Sequence, residues 1–559
     1  MLVPLGIAFI VALFASTVVA LTLTPVLCSY LLGSNKTNKE LKESFVARWM
    51  KGIYEKALTW VLAHKRVTLG STIVLFLIAL GVFFTLGRSF LPSFNEGSFT
   101  INISSLPGIS LEESNKMGHR AEELLLTIPE IQTVARKTGR AELDEHALGV
   151  NVSEIEAPFE LKDRPRSELV AEVREKLGTI TGANIEIGQP ISHRIDAMLS
   201  GTKANIAIKL FGDDLNKMFS LGNQIKGAIS DIPGIADLNV EQQIERPQLK
   251  ITPRREMLAR YGVSLSEFAE FIDVALAGEV VSQVYEGSRT FDLTVKVKDD
   301  ERSSAAKIGD LMVDTQDGKV PLSYLAEIKS ATGPNTINRE NVKRKIVISA
   351  NVSDRDLRSV VDDIRERIDE TVVLPEGYFI EYGGQFESEA AASRTLSFVS
   401  LFSLLVVFLL LYNQFRSVSQ SAVILLNLPL ALIGGVFILR FTTGEISIPA
   451  IIGFISLFGI ATRNGMLLVS HYNTMLSEGN SLHDTILRGS LDRLNPILMT
   501  ALTSALALIP LALGGDLPGN EIQSPMAKVI LGGLITSTFL NAFVVPVVYW
   551  IMNRKKENR

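Results

Sequence analysis

The sequence predicts a membrane protein in two parts: a membrane α-helical bundle of about seven transmembrane helices, and an α+β domain outside it. The first observation is composition, because 47% of the 559 residues are hydrophobic, 21% are charged and mean hydropathy is +0.26, too apolar for a soluble chain. The second is distribution, since nearly charge-free runs occupy both ends whereas residues 88–394 have soluble composition. The third is that this middle region alternates strand-like and helix-like segments.

Seven apolar stretches are long enough to cross a membrane, which takes about 20 residues. They are residues 2–32, 67–87, 396–412, 419–439, 448–472, 496–513 and 529–552. We therefore expect transmembrane helices at 1–33 and 67–88 and five more within 395–553. The first stretch has no basic segment before it and exceeds the apolar core of a secretory signal, so we interpret it as a span.

Lysine and arginine favour the cytoplasmic side and so indicate the orientation of the spans. They cluster in residues 34–66, near Arg416, near Arg488 and Arg493, and in residues 554–559. With these inside, residues 34–66 form a cytoplasmic amphipathic linker, 554–559 form a cytoplasmic tail, and the α+β domain lies outside. Seven spans then place the amino terminus outside, so the chain reads as the carboxyl-terminal part of a longer protein.

The α+β region contains an internal repeat. Strand, helix, strand occurs twice within residues 95–200, which is the split β-α-β, ferredoxin-like arrangement. A second copy begins in residues 201–246 and closes in 342–390, with residues 247–341 inserted between its halves. Two tandem lobes predict a cleft between them, and the inserted subdomain predicts a separate surface for a partner.

Net charge and cysteine content exclude several classes of site. The formal charge of −5 over 559 residues is close to neutral, so no overall field favours binding to nucleic acid. One cysteine, Cys28, cannot form an internal disulfide or a cysteine-only metal site. Chemistry with soft metals would therefore rely on methionine and histidine.

A charged residue lies inside the fifth predicted span, within GIATRNGMLLVSHY (459–472). Placing Arg463 in hydrocarbon costs several kcal/mol unless it pairs or faces a hydrated cavity, and it is too far from either span end to snorkel. We expect Arg463 and Asn464 to act in a proton relay whose carboxylate lies on another segment. Thr500 and His471 are further candidates, although a helix-bonded threonine and an interfacial histidine remain alternatives.

Four motifs resemble those of the resistance-nodulation-division (RND) efflux permeases. They are GIATRNGMLLVSHY, LDRLNPILMTAL (491–502), LTLTPVLCSYLL (21–32) and RSFLPSFNEGSF (88–99). The resemblance covers essentially the whole chain and implies span six and the second half of a twelve-span permease in the bacterial inner membrane. It further implies periplasmic porter lobes with a docking subdomain, proton antiport, a homotrimer in the lipid bilayer, a periplasmic adaptor (membrane fusion) protein and an outer-membrane channel. In the family, proton coupling involves acidic side chains of span four that interact with residues of span ten, and Arg463 and Asn464 match those span-ten residues. Span four is absent from this chain.

Within the family, GRAELDEH (139–146), QPISHRIDAMLSGTKANIAIKLFG (189–212) and FGIATRNG are similar to the heavy-metal efflux branch, of the CzcA/CusA kind. The resemblance implies a transported metal cation and protons, with no permanently bound cofactor. Candidate metal ligands are His193, Met198, Glu142, Asp144, Glu145 and His146. The oxygen and imidazole groups of the last four suit zinc, cobalt or nickel, whereas a solvated turn, and core packing for Met198, are the alternatives.

The expected function is proton-driven export of heavy-metal cations by a secondary active transporter, not an enzyme. Export of drugs or other organic compounds is an alternative, which the few aromatic residues between 180 and 218 disfavour. A membrane-anchored enzyme or receptor would leave the intramembrane arginine unexplained, and the sequence contains no HExxH, GxxxxGK or GxSxG motif. A non-functional fragment is the third alternative.

Overall fold

The structure is a computed structural model that describes most of the chain. The described residues are 2–32, 44–92, 94–106, 108–139, 149–162, 164–192, 194, 204–241, 246–334, 336–353, 355–515, 517 and 519–557.

The chain begins with helices. They are α1 (Leu2–Leu21), α2 (Leu23–Leu32), α3 (Phe45–Ala63) and α4 (Lys65–Thr85). The helices α1 and α2 are interrupted only at Thr22 and together supply the first apolar span. The helix α3 is amphipathic, because it buries Tyr54, Leu58 and Leu62 against the bundle and exposes Trp49 and Trp60.

A four-stranded antiparallel sheet follows a short strand, β1 (Gly87–Arg88). Its elements are β2 (Ser98–Ser105), α5 (Leu111–Leu125), β3 (Ala135–Thr138), β4 (Val152–Pro158), α6 (Arg166–Leu177) and β5 (Ala183–Gly188). The spatial order β3-β4-β2-β5 is that of a split β-α-β fold. Phe99, Ile101 and Ile103 alternate with polar residues along β2 and pack with both helices, so one face of the sheet forms the core.

A second lobe repeats this order around an insertion. It begins with β6 (Ile206–Phe211), α7 (Leu215–Ile229) and β7 (Ile235–Val240). After the insertion, whose elements are numbered in between, it ends with β15 (Lys343–Val352), α12 (Leu357–Thr371) and β16 (Phe379–Gly384). The sheet runs β15-β6-β16, and both β7 and a short strand of the insertion (Asn338–Glu340) pair with β15. Every residue of β6 is buried, because β15 and β16 flank it and α7 and α12 pack on the sheet.

The insertion contains short pairs of strands around a small core of its own. Its elements are β8 (Arg246–Pro253), α8 (Arg255–Arg260), α9 (Leu265–Ile272), a π-helical turn (Asp273–Ala277), β9 (Glu279–Glu286), β10 (Arg289–Val295), a 3₁₀ turn (Asp299–Arg302), α10 (Ala305–Gly309), β11 (Met312–Thr315), β12 (Gly318–Pro321), α11 (Leu322–Leu325), β13 (Ala326–Gly333) and β14 (Asn338–Glu340). Strands β8 and β13 pair antiparallel, and β9 and β10 form a hairpin whose residues are all exposed.

The remaining helices complete the membrane bundle. They and one short strand are α13 (Gln385–Phe415), α14 (Val418–Leu425), α15 (Asn427–Phe441), β17 (Glu445–Ile446), α16 (Ile448–Ser477), α17 (Leu482–Leu513) and α18 (Gln523–Glu557). As predicted, seven helical segments within the described part of the chain are long and apolar enough to span a membrane. Helices α15, α16 and α18 form the buried centre of the bundle, and glycines allow α15 and α18 to pack backbone against backbone.

Polar contacts join the two lobes to the bundle. Strand β1 pairs in parallel with β17, directly before α16, and the Arg88 N–H donates to the Asp356 carboxylate over 3.3 Å. Asp356 also caps α12 by accepting from the Ser359 N–H. On α13, Glu389 accepts from the Arg358 guanidinium at 2.7 Å. The strand that leads into the first lobe, the last helix of the second lobe and the start of α16 therefore meet at one place.

Candidate proton relay in the membrane bundle

Arg463 lies at the middle of α16. Helical rise places it about 20 Å from Ile448 at one end and about 20 Å from Ser477 at the other. An extended arginine side chain cannot cover that distance to an interface. The position therefore requires a protein partner or a hydrated surface.

The side chain of Arg463 is exposed and belongs to a continuous stripe, here called the open stripe: Gly459, Arg463, Leu467, Ser470 and Thr474. Their spacing of three or four residues places them on one face of α16. Apart from Leu467, the stripe consists of glycine and polar residues, whereas the exposed surface of α13 presents Phe398, Leu401 and Phe402, each about two-thirds exposed. Small residues are typical of helix–helix contacts in membranes, and large apolar ones are typical of surfaces that face lipid.

Among the residues that the structure describes, none forms an ion pair with Arg463. Helix α16 contains no aspartate or glutamate at all. On the adjacent helix α17, Asp492 contacts His471. Among the described residues, Arg463 therefore has no carboxylate partner.

Asn464 points into the bundle, although it is next to Arg463 in sequence. Successive residues of a helix are about 100° apart, so the two side chains leave α16 in different directions. Asn464 is only 2% exposed and shares a buried face with Ala461 and Leu468. The structure thus places the two residues of the predicted pair in different environments.

His471 lies about 12 Å along α16 from Arg463. Its Nε2 is 3.4 Å from an Asp492 carboxylate oxygen, and the two side chains are 23% and 58% exposed. Thr500 donates its hydroxyl to the Pro496 carbonyl within α17 over 2.9 Å. Asp492 was not among the residues predicted from the sequence, although it lies within the motif LDRLNPILMTAL.

A hydrogen-bond network that the sequence did not predict lies at the same end of the bundle. Tyr549 donates to the Asn473 side chain over 2.7 Å, Asn473 and Gln420 exchange bonds of 3.0 and 3.1 Å, and Tyr472 bonds to Ser490. These contacts tie together α14, α16, α17 and α18. Tyrosine and asparagine within apolar runs were the available signal, because buried side chains of these types need partners.

The six predicted metal ligands, Glu142, Asp144, Glu145, His146, His193 and Met198, lie outside the described residues. Within the described ranges, no group of three or more His, Cys, Asp or Glu side chains could hold a metal ion. The segment that leads to His193 is anchored, because the Glu96 carboxylate accepts from the N–H groups of Ile191 and Ser192 at 2.6 and 3.1 Å. Gln189, 2% exposed, bonds to the Glu96 N–H and to the Phe94 carbonyl.

Electrostatics differ between two acids where the lobes meet the bundle. Burial raises the pKa of the Glu445 carboxyl, and the nearby negative charge of Asp356 raises it further. Burial would also raise the pKa of Asp356, but hydrogen bonds from Ser359 and from the Arg88 N–H outweigh it, and the pKa of Asp356 is lowered. Asp356 thus stays ionised at a contact through which both lobes reach α16.

Comparison with known proteins places the chain among efflux permeases. A sequence model described as the AcrB/AcrD/AcrF family matches residues 1–553. Protein HelA of Legionella pneumophila is 34% identical over 570 residues, covering 100% of this chain and 54% of the relative. The cobalt-zinc-cadmium resistance protein CzcA of Cupriavidus metallidurans is 33% identical, covering 99% and 53%.

A crystal structure described as a heavy metal efflux pump has a similar fold. The TM-score is 0.78 at 27% identity, and the match covers 91% of this chain and 53% of the other. The chain spans about half the length of the proteins that it matches.

Proposed function

Because the chain belongs to the AcrB/AcrD/AcrF family of RND permeases, we propose that it is the carboxyl-terminal half of a proton-driven pump for heavy-metal cations in the bacterial inner membrane. Permeases of this family are secondary transporters rather than enzymes. Relatives carry names that refer to cobalt, zinc and cadmium and to nickel, cobalt and cadmium. We therefore propose divalent transition-metal cations as the substrates.

The observation that carries the proton-coupling part of the proposal is Arg463 on the open stripe. A guanidinium in a membrane bundle needs a partner or a hydrated surface, and the glycine, serine and threonine of the open stripe favour contact with another helix. A carboxylate from a segment outside this chain would pair with Arg463 while ionised. Protonation of that carboxylate removes the attraction, so α16 would shift each time a proton binds or leaves.

The junction between α16 and the lobes supplies a route for that shift. Strand β17 ends two residues before α16 and pairs with β1, which leads into the first lobe. Asp356 connects β1 to α12 of the second lobe. Movement of α16 along its axis would therefore change how the two lobes are held, and opening and closing of the cleft between them would expose the metal to alternate sides.

For the metal itself we propose ligands among His193, Met198, Glu142, Asp144, Glu145 and His146. What supports them is the chemistry of the donor set, since carboxylate and imidazole groups suit divalent zinc, cobalt and nickel. We further propose a homotrimer that works with a periplasmic adaptor and an outer-membrane channel. The exposed hairpin β9–β10 in the insertion is consistent with a docking role, because an isolated hairpin gains stability from a partner.

The proposal is tested by metal accumulation in cells that lack their own metal pumps. Cells would express this chain alone, or together with the amino-terminal segment that its longer relatives carry, and be exposed in turn to zinc, cobalt, nickel, cadmium, copper and silver ions. We expect the joined protein to lower accumulation of one or more divalent ions, and the chain alone to have no effect. If the joined protein is present in the membrane but changes no metal, the heavy-metal assignment is wrong, and export of organic compounds becomes the function to examine.

A matched pair of variants separates assembly from transport. Gly459→Leu places a large side chain on the open stripe, where a Cβ meets nothing within 4 Å in this chain. We expect it to leave the fold of the chain unchanged but to prevent association with the amino-terminal segment. Gly227→Leu, at a position on α7 that is equally open, is the control and should have no effect on association. Equal association of both variants would contradict the assignment of the open stripe as a helix contact.

A further inference from the structure

Four buried polar side chains occupy one level of the membrane bundle. They are Asn427 of α15, Asn464 of α16, and Thr538 and Asn541 of α18, here called the polar layer. Their exposed fractions are 0%, 2%, 6% and 1%. Nothing in the proposed function uses Asn427, Thr538 or Asn541.

The helix register places these residues together. One apolar cluster contains Ala431, Ala461 and Ile530, and a second contains Ile424, Leu468 and Val545. On α16, Asn464 lies within four residues of Ala461 and of Leu468. Asn427, the first residue of α15, lies three residues after Ile424 of α14 and four residues before Ala431. On α18, Thr538 and Asn541 lie between Ile530 and Val545. The polar residues of α15, α16 and α18 therefore all lie between the same two apolar clusters.

A glycine gives Asn427 its space. A Cβ at Gly465 would lie 2.0 Å from the Asn427 Nδ2, so any larger residue there would displace the amide. The amide therefore points toward α16 beside Asn464, in the interior of the bundle. Gly465 is conformationally costly in a helix compared with alanine, and this contact accounts for its presence.

Several atoms of the polar layer have no hydrogen-bond partner among the described residues. They are Nδ2 and Oδ1 of Asn427, Oδ1 of Asn541 and Oγ1 of Thr538. An unsatisfied buried polar group costs more than one hydrogen bond returns, and folded proteins rarely leave several of them at one level. Donor and acceptor atoms are both present, and the layer contains no charged side chain.

We infer that the polar layer binds water molecules that bridge α15, α16 and α18. A water molecule both donates and accepts, as this mixture of amide and hydroxyl groups requires, and buried water typically makes about three such bonds. A metal or ammonium cation would leave the amide N–H of Asn427 without an acceptor and would find no carboxylate. The inference does not depend on the proposed function, because it concerns hydration of this chain and not transport.

Hydrogen–deuterium exchange at an introduced thiol tests the inference directly. The chain has one native cysteine, so a Cys28→Ala background lets the S–H stretching band report a single position. Thr538→Cys places the thiol in the polar layer. Val545→Cys places it in the apolar cluster seven residues further along the same helix, at 0% exposure and nearer the carboxyl-terminal end of α18. Exchange in D₂O would be followed by infrared spectroscopy on the purified chain in detergent micelles.

We expect the thiol at position 538 to exchange about tenfold faster than the thiol at position 545, because bound water carries deuterium to the first but not to the second. Exchange by local opening alone would favour position 545, which is nearer the end of the helix, or would make the rates equal; either outcome overturns the inference. Adding Asn427→Leu and Asn541→Leu to the Thr538→Cys variant removes the bridging partners and should slow its exchange to the control rate. If that triple variant does not fold, the difference in exchange rate between the Thr538→Cys and Val545→Cys variants still tests the inference.

Discussion

Backbone contact between α15 and α18 predicts that one added methyl group, Gly434→Ala, separates these helices. A Cβ at position 434 would lie 2.0 Å from the Gly532 carbonyl oxygen and 2.4 Å from the Thr536 hydroxyl oxygen. A carbon and a carbonyl oxygen normally approach no closer than about 3.3 Å, so the helix backbones must move apart by about 1 Å. Neither contact atom can move alone, because the first is backbone and the second accepts the Gly434 N–H at 3.1 Å.

The magnitude follows from three contributions. Overpacking a close contact costs about 1–3 kcal/mol. Losing the bond to Thr536 adds about 1 kcal/mol, and the better helix propensity of alanine returns about 1 kcal/mol. We expect Gly434→Ala to lower the free energy of unfolding by about 2 kcal/mol, which exceeds the effect of most single substitutions.

The assay is unfolding in mixed detergent micelles, followed by circular dichroism at fixed temperature. Gly70→Ala is the control, because it lies in the span α4 and its added Cβ would meet nothing within 4 Å. The control should leave stability unchanged or raise it by up to about 1 kcal/mol. If Gly434→Ala and Gly70→Ala have the same stability, the close contact between α15 and α18 is wrong.

Two carboxylates that hold ion pairs, Glu340 and Glu389, give further predictions. Glu340→Gln should lower the free energy of unfolding by about 2 kcal/mol at pH 7, because the Glu340 carboxylate holds Lys345 at 2.6 Å and the nearly buried Lys209 at 3.0 Å. These hydrogen bonds lower the pKa of Glu340, so the difference in stability from wild type is full above about pH 5 and is lost as pH falls through the lowered pKa. A series of chemical unfolding curves at different pH values would show this dependence. Arg358→Ala should lower the free energy of unfolding by about 2 kcal/mol, because it leaves Glu389, which is only 3% exposed, without its guanidinium partner. Adding Glu389→Gln should recover about half of that loss in thermal unfolding, and no recovery would mean that the pair does not account for the loss.

The sequence predicted the parts of the fold that depend on local pattern. Apolar length was enough to find seven spans, and alternating strands with amphipathic helices were enough to expect two αβ units. Helix ends were less predictable: the span expected at 496–513 is the last part of α17, which begins at Leu482. Hydropathy ends where polar residues begin, whereas the backbone bonds of a helix continue past the apolar run.

The site was only partly predictable, because side-chain direction depends on packing. Arg463 was identified from its cost in hydrocarbon, but no pattern in one sequence says that it faces outward while Asn464 faces inward. The polar layer had a visible signal, since Asn427 and Asn541 interrupt the apolar runs LLNLPL and TFLNAF. Their common level depends on the register of three helices that are distant in sequence, and only the folded bundle supplies it.

Proton-coupled metal transport in liposomes tests the central claim most directly. The chain joined to its amino-terminal segment would be reconstituted, a pH gradient imposed, and movement of a divalent ion and of protons recorded together for wild type, Arg463→Lys and Arg463→Ala. The account predicts that the gradient drives metal movement in the wild type, that Arg463→Lys retains part of it because the charge remains, and that Arg463→Ala abolishes both fluxes. Metal movement by Arg463→Ala at the wild-type rate, or movement that is independent of the pH gradient, would contradict it.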